Sequence, residues 1–271
     1  MKNLSLVLLS LISLQLSAQL THADIKDLKG NPTQLMVDVF EEKKKDGAFT
    51  LVKHQKYTVV LDNGKIISQI VNDTVGYKTP ADRKLTYTYT NNTMTLTVKD
   101  FKDNLKSKVV YDYKNNLDHI TKQTDYDEYG DPVTTISWEQ QNNCENGFAQ
   151  CQTVTTEKLY KSWQTLENFN DKHQLVNEVV YKDLNKPLGP TLNYSYNDKG
   201  QLISEEKEMA GGAKYTTTYA YNDKGDVVHK KTRILGFTYD YTYDTNGNWL
   251  RKTETTQTKT RRIVTVRTFT Y

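Results

Sequence analysis

Histidine, cysteine and acidic side chains are the groups through which this sequence could carry chemistry, and the histidines are the simplest to assess. The five histidines are scattered along the chain: His22, His54, His119, His173 and His229. No two have the His-x-x-x-His spacing of a helical metal site, and the chain has neither a Gly-x-Ser-x-Gly segment nor a glycine-rich phosphate loop. The sequence predicts a protein that is not an enzyme and that uses no cofactor and no metal. An enzyme would require carboxylates that meet across a cleft.

One acidic segment, Asp-Tyr-Asp-Glu-Tyr-Gly-Asp at residues 125–131, begins like a calcium-binding loop. Tyr129 stands where such a loop has its third ligand, and Ile136 stands where it has its bidentate glutamate. The segment also has the composition of a turn between two strands, as does Asp-Thr-Asn-Gly-Asn at residues 244–248. We expect both segments to be turns and not metal sites.

The sequence contains two cysteines, Cys144 and Cys151. An even pair in an exported chain is typical of a disulfide. The spacing does not fit the Cys-x-x-Cys of a redox or metal pair, and no histidines cluster nearby. We expect a disulfide that closes a short loop between strands around residues 134–138 and 153–156.

The strongest pattern in the sequence is a phrase that occurs three times, at residues 194–203, 219–228 and 241–250. Each copy has Tyr-x-Tyr, then a polar turn that ends in glycine and, one residue later, an apolar pair. The glycines recur 25 and then 22 residues apart. Because strand side chains alternate and such turns reverse the chain, each copy predicts a β-hairpin. Weaker copies extend the series back to about residue 60, which is typical of a repeat architecture.

The repeated tyrosines are the candidate binding residues. If equivalent residues of neighbouring hairpins stack, they form two aromatic ladders with a tryptophan at one end. Cross-strand aromatic pairs stabilise sheets by roughly 0.2–1 kcal/mol each. The ladders are either the thin core of the sheet or an exposed row of flat faces for glycan rings or peptide. The candidate set is Tyr194, Tyr196, Tyr219, Tyr221, Tyr241, Tyr243 and Trp249.

Units of the form Tyr-Asp/Asn-x-x-Gly-x-apolar resemble the YD repeats of RHS-type proteins, especially the short secreted versions of Bacteroidetes-type bacteria. Residues 243–249, Tyr-Asp-Thr-Asn-Gly-Asn-Trp, match best, and the resemblance is clear over about residues 190–255. It implies a repeated-hairpin architecture and no particular activity. Large RHS proteins build a shell around a toxin from such repeats, and this sequence has too few copies for a shell.

Residues 1–18 have the features of a signal peptide. A lysine precedes an apolar run at residues 4–14 that is too short for a permanent membrane helix, and small residues precede a cleavage site between Ala18 and Gln19. We expect an exported mature chain, residues 19–271, in the periplasm, on the cell surface or secreted. No second apolar run is long enough to span a membrane, so no integral helical span is predicted.

The composition favours a sheet with a thin core. The formal net charge is +3, which is too balanced to indicate nucleic acid as a partner. Only 36% of residues are hydrophobic, but disorder normally combines low hydrophobicity with high net charge. The tyrosine and threonine content and the regular turns favour β structure. A glycan or a cell-envelope protein is the candidate partner, and its identity is unknown.

These patterns predict an all-β fold, an elongated and curved antiparallel meander of repeated hairpins that forms one domain. Every strong turn joins strands that are adjacent in sequence, so strand pairing is expected to be local. An open sheet has two edges, which proteins commonly protect with charge. The basic residues expected near the last edge are Lys252, Lys259, Arg261 and Arg262.

The leading functional hypothesis is an exported, non-catalytic protein that acts as a binding or scaffolding module in the envelope or outside the cell. One alternative is a carbohydrate-binding module that uses an exposed aromatic row. The other alternative, an outer-membrane β-barrel, is disfavoured because residues 205–208 put charge on both faces of one strand.

Overall fold

A computed structural model of the chain describes residues 28–75, 82–114, 120–141, 144, 148–158, 161–181 and 187–271. These residues form 18 β-strands and no helix, so the all-β part of the prediction is confirmed. The predicted signal peptide lies outside the described residues. The strands are β1 (Gln34–Lys45), β2 (Ala48–Asp62), β3 (Lys65–Val75), β4 (Arg83–Tyr89), β5 (Thr93–Asp100), β6 (Leu105–Tyr113), β7 (Ile120–Tyr126), β8 (Pro132–Gln140), β9 (Gln150–Lys158), β10 (Lys161–Phe169), β11 (Leu175–Tyr181), β12 (Pro187–Tyr196), β13 (Leu202–Glu208), β14 (Lys214–Tyr221), β15 (Val227–Lys231), β16 (Gly236–Tyr243), β17 (Trp249–Thr256) and β18 (Arg261–Thr270).

The repeated phrase folds as a hairpin because its asparagine organises the turn. Between β12 and β13, Asn197 Oδ1 accepts hydrogen bonds from the backbone N–H groups of Lys199 (3.1 Å) and Gln201 (2.9 Å). Gly200 has a φ of 78°, a left-handed conformation that glycine adopts without strain. The turns between β14 and β15 and between β16 and β17 use the same kind of side-chain cap. The three repeats therefore share one turn geometry.

In the first two copies of the phrase, the second tyrosine ties its hairpin to the preceding one. The Tyr196 hydroxyl donates a hydrogen bond to the carbonyl of Leu175 (2.7 Å), the first residue of β11. The Tyr221 hydroxyl donates in the same way to the carbonyl of Leu202 (2.6 Å), the first residue of β13.

Consecutive strands pair antiparallel, and the first strand also pairs with the last. The β1–β18 register runs from Gln34 opposite Thr270 to Lys43 opposite Arg261. Because β1 pairs with β2 as well, the sheet closes into an 18-stranded antiparallel barrel. The predicted elongated meander with two open edges is wrong. Turn-forming residues predict pairing only between strands that are adjacent in sequence, whereas β1 and β18, which close the sheet, are far apart in sequence.

Two of the four basic residues that were expected to protect an open edge, Arg261 and Arg262, lie at the closing strand pair, whereas Lys252 belongs to β17 and Lys259 to the turn before β18. The Arg261 Nε atom lies 3.0 Å from Glu41 Oε1, and Arg262 forms an ion pair with Glu42. Arg261 and Glu41 are 220 positions apart in sequence. These arginines therefore match acidic residues of β1 instead of shielding an unpaired edge.

The chain divides into two compact units. Unit 1 contains Tyr89–Thr95 and Ser107–Ile234, and unit 2 contains the described residues up to Thr88, Leu96–Lys106 and Leu235–Tyr271. Unit 2 has an apolar core on one face of its strands. Its most buried apolar side chains are Leu35, Val59, Ile66, Val71 and Leu96. The single domain predicted for residues 19–271 stays a prediction.

The predicted disulfide between Cys144 and Cys151 is confirmed, with the two Cα atoms 5.6 Å apart. Cys151 is the second residue of β9, and its carbonyl accepts a hydrogen bond from the backbone N–H of Gln141 (3.0 Å). The disulfide therefore fastens the connection between β8 and β9 at the point where β9 begins.

Candidate functional site

Acidic and tyrosine side chains from neighbouring strands form a row on one face of unit 1. Glu167 of β10 is directly opposite Glu178 of β11, and Tyr194 of β12 is directly opposite Glu205 of β13. Directly opposed residues of antiparallel strands lie on the same face of the sheet. Tyr219 of β14 continues the row, two residues beyond the partner of Glu205. We call these five residues the glutamate–tyrosine row.

Two carboxylates of the row are buried and accept hydrogen bonds from neutral donors. Glu167 is 6% exposed, and its Oε2 atom accepts a hydrogen bond from Gln152 Nε2 (2.6 Å). Glu178 is 7% exposed, and its Oε2 atom accepts one from the Tyr194 hydroxyl (3.3 Å). Taking a carboxylate out of water without a cationic partner is costly, so the environment favours the protonated form.

The same environment shifts the pKa values of the row. Burial raises the pKa of Glu167 to about 7, the nearby charge of Glu178 adds to this shift, and the hydrogen bond from Gln152 opposes it. Burial also raises the pKa of Glu178, with a further contribution from the charge of Glu205. Burial and these carboxylates raise the pKa of the Tyr194 hydroxyl. Glu167 is therefore expected to gain and lose its proton near neutral pH.

This arrangement has the chemistry of a polar binding site. Carboxylate oxygens accept hydrogen bonds from hydroxyl or amine groups, and a tyrosine ring offers a flat apolar face beside them. The sequence analysis missed Glu167 and Glu178 because both lie outside the repeated phrase. The available signal was an isolated glutamate in a strand otherwise rich in apolar and amide residues, as in Val-Asn-Glu-Val-Val at residues 176–180.

The four predicted binding tyrosines of unit 1 lie on β12 and β14, with β13 between these strands. Tyr194, Tyr196, Tyr219 and Tyr221 are all half-buried. Burial is the largest cause that raises the pKa of Tyr196 and of Tyr219, each to about 12. The hydroxyls of Tyr196 and Tyr221 are engaged by backbone carbonyls. A ligand role for these tyrosines stays a prediction.

The other three predicted aromatic residues form a cluster in unit 2. The ring centroids of Tyr241 and Tyr243 are 6.1 Å apart, and those of Tyr241 and Trp249 are 6.3 Å apart. The guanidinium of Arg267 lies 3.4 Å from the ring centroid of Trp249, a cation–π geometry. All three aromatic side chains are half-buried. The cluster therefore packs against itself and against a buried arginine.

The acidic segment at residues 125–131 ends β7 and, from residue 127, forms the turn between β7 and β8. Asp127 Oδ1 accepts hydrogen bonds from the backbone N–H groups of Tyr129 (2.9 Å) and Asp131 (3.0 Å). Across the part of the chain that the structure describes, no group of three or more histidine, cysteine or acidic residues is arranged to hold a metal ion. The same residues include no helix of sufficient length and apolar character to cross a membrane.

The chain is similar to solved structures at low sequence identity. No family model and no curated protein matches it. A porin-like protein from Bacteroides uniformis is 12% identical, with a TM-score of 0.47 over 88% of this chain and 96% of that chain. The TcdB2–TccC3–Cdc42 structure is 11% identical, with a TM-score of 0.32 over 74% of this chain and 14% of that chain. Both scores are too low to carry an argument about function. The resemblance to YD-repeat proteins stays a prediction.

Proposed function

We propose that this chain is an exported, non-catalytic β-barrel protein of the cell envelope. The closed 18-stranded sheet carries the proposal, because closed antiparallel barrels remove exposed edges and enclose ligand sites or channels. The Cys144–Cys151 disulfide supports an oxidising compartment, and the apolar run at residues 4–14 supports export. A closed barrel describes this architecture better than an open scaffold does.

A barrel in the envelope either works in the aqueous phase or spans the outer membrane. In β13, Glu205 and Lys207 alternate with Glu206 and Glu208, so both faces carry charge. A basic side chain facing lipid at the membrane midplane costs about 2–4 kcal/mol, and an acidic one somewhat less. We infer that the barrel works in the aqueous phase. A membrane-spanning barrel is the second candidate, favoured by the closure of the sheet.

Fractionation of a Gram-negative host that expresses the full chain tests the location. We expect intact-mass measurement to find a mature chain that lacks residues 1–18, released from the envelope fraction by alkaline carbonate. A mature chain that resists carbonate and dissolves only in detergent would establish the membrane-spanning candidate instead. A cytoplasmic chain with an intact Met1 would overturn the proposal of export.

The glutamate–tyrosine row is the proposed ligand site, and a hydroxyl-rich ligand such as a glycan fits its chemistry. Carboxylates accept hydrogen bonds from sugar hydroxyls, and tyrosine rings pack against the apolar faces of sugar rings. Calorimetric titration with envelope oligosaccharides tests this. Tyr194→Phe and Glu205→Gln are each expected to weaken binding about tenfold, since the first removes a hydroxyl and the second replaces a charged acceptor oxygen with an amide N–H donor. The matched control Tyr215→Phe should bind normally. Unchanged affinity in both row variants would exclude the row as the site.

A further inference from the structure

Two strand connections of unit 1 lie at the same end of its strands. The first, residues 209–213, joins β13 to β14, and the second begins at residue 232 after β15. Consecutive antiparallel strands return the chain to the same end after every second strand, so both connections lie at that end. The guanidinium of Arg233 lies 4.9 Å from the ring centroid of Tyr215, near the start of β14. This contact brings the two connections together.

This end of unit 1 exposes large apolar side chains. Ile234 is 85% exposed, Met209 is 39% exposed and Tyr215 is 36% exposed. Single exposed apolar residues are common on protein surfaces and need no explanation. A group on two adjoining connections is different, since grouped exposed apolar side chains mark sites of interaction with proteins or membranes. We call Met209, Tyr215, Arg233 and Ile234 the loop patch.

The charges around the loop patch are mainly positive. Arg233 belongs to the patch, Lys231 precedes it in the chain, and Lys207 is directly opposite Tyr215. The neighbouring Glu206 and Glu208 form ion pairs with Lys214, at 2.8 and 3.2 Å. Lys214 matches one of these two negative charges, and Lys207, Lys231 and Arg233 outnumber the one that remains. The surface that remains combines cationic side chains with a protruding aliphatic one.

We propose that the loop patch docks the protein onto an anionic lipid surface. An aliphatic side chain at a loop tip inserts into the boundary between headgroups and acyl chains, and basic side chains around it attract anionic headgroups. Docking onto a polar protein surface would gain little from burying Ile234. A lipid surface interacts with both the aliphatic side chain and the cationic side chains of the patch. The inference rests on the proposed export, because export brings the chain to the lipid surfaces of the envelope.

Co-sedimentation of the purified mature chain with lipid vesicles tests the proposal. We expect the chain to bind vesicles that contain phosphatidylglycerol, to bind pure phosphatidylcholine vesicles far less, and to be released by high salt. Ile234→Asp should weaken binding at least about tenfold, because it replaces the inserting side chain with an anion. Arg233→Glu should weaken binding by a similar factor. Both side chains lie on the exposed connection that begins at residue 232, and circular dichroism should show that each variant is folded.

The matched control is Tyr129→Ser in the turn between β7 and β8. Tyr129 is 83% exposed, but its neighbours Asp127, Glu128 and Asp131 are acidic. This variant should bind vesicles like the wild type. Equal binding of Ile234→Asp and the wild type would overturn the proposal.

Sedimentation velocity without lipid separates lipid docking from self-association. We expect the wild-type chain and the Ile234→Asp variant to have the same sedimentation coefficient. A wild-type dimer that is lost in Ile234→Asp, without vesicle binding, would assign the loop patch to a second copy of the chain and overturn docking onto lipid. The vesicle assay uses purified protein, so it is independent of the fractionation result. If the chain is found in the cytoplasm but the purified protein still binds vesicles, the proposal of export is rejected and the proposal of lipid docking stands.

Discussion

Units 1 and 2 are built from similar strands and hairpins and both bury apolar and polar groups, but the fully buried large apolar side chains lie in unit 2 and the two buried glutamates lie in unit 1. In unit 2, Leu35, Val59 and Ile66 are 0% exposed and form an apolar core. In unit 1, the buried side chains include Glu167 and Glu178, which are 6% and 7% exposed. The same backbone pattern therefore supports an apolar core in one region and a polar row in the other.

The difference assigns separate roles to the two regions. Burying apolar surface stabilises a fold by about 25 cal/mol per Å², whereas burying a carboxylate destabilises it unless the group is neutral or paired. Unit 2 should therefore supply most of the stability, together with the closing strand pair that it contains. Unit 1 keeps costly groups, which is the expected signature of a functional site.

The largest expected effect is on the apolar core of unit 2. Ile66→Ala should lower the free energy of unfolding by about 2–5 kcal/mol, because it leaves a cavity at a fully buried position. The matched control is Ile70→Ala in the same strand, where the side chain is 38% exposed, and its cost should be less than about 1 kcal/mol. Urea denaturation measures both. Equal losses would show that the buried face is not the core of unit 2.

The second effect is the pH dependence that comes from unit 1. The folded pKa of Glu167 is about 7 and its ordinary value is 4.5, so the native state keeps a proton that the unfolded state has lost. The stabilisation is complete below about pH 4.5 and is lost as the pH rises through about 7, by roughly 3 kcal/mol. Urea denaturation across this range should show stability that falls with increasing pH.

Two variants isolate the contribution of Glu167 to this pH dependence. Glu167→Gln should flatten the profile, because the amide does not titrate and keeps a partner for Gln152. The control Glu157→Gln changes an exposed carboxylate of β9 and should leave the slope as it is in the wild type. A wild-type slope in Glu167→Gln would show that another group causes it.

The third effect concerns the link between hairpins. Tyr221→Phe should lower the free energy of unfolding by about 1 kcal/mol, because it removes the hydroxyl that donates to the Leu202 carbonyl. Tyr215→Phe is the control at a more exposed tyrosine of the same strand and should cost less than about 0.5 kcal/mol. Thermal denaturation compares the two. A smaller loss for Tyr221→Phe than for Tyr215→Phe would refute a structural role for this hydroxyl.

The smallest effect is a gain in stability at a turn. His173 has a φ of 57°, although it stands where the clearer repeats have glycine. His173→Gly should stabilise the protein by roughly 0.5–1 kcal/mol, because glycine adopts this conformation without strain. Its exposed hydrogen bond to Gln150 is lost and reduces the gain. Lys172→Gly in the same turn should give no gain, so stabilisation by both variants would contradict the argument.

Local features of this protein were predictable from sequence because short-range chemistry determines them. The hairpin turn at Gly200 follows from the neighbouring asparagine, and the disulfide of Cys144 and Cys151 follows from parity and spacing. The pairing of β1 with β18 was not predictable, since no turn connects these strands. The ion pair between Glu41 and Arg261 can be recognised only when the register of β1 against β18 is known.

The candidate site was predictable only in part for the same reason. The tyrosines stand out because they repeat, whereas Glu167 and Glu178 belong to strands without a clear repeat. Their carboxylates become neighbours through the β10–β11 register, which places them directly opposite each other. The sequence does not encode that register in a recognisable motif.

Disulfide trapping across the first and last strands tests the closure of the sheet most directly. Met36 is directly opposite Thr268, so Met36→Cys/Thr268→Cys should cross-link on mild oxidation of the folded protein and change its mobility on a non-reducing gel. Thr58→Cys/Ile70→Cys, in the directly paired strands β2 and β3, is the positive control, and Met36→Cys/Ile70→Cys, in β1 and β3, is the negative control. A closed barrel predicts cross-linking in the first two variants and not in the third. Cross-linking of the positive control alone would contradict the closed barrel.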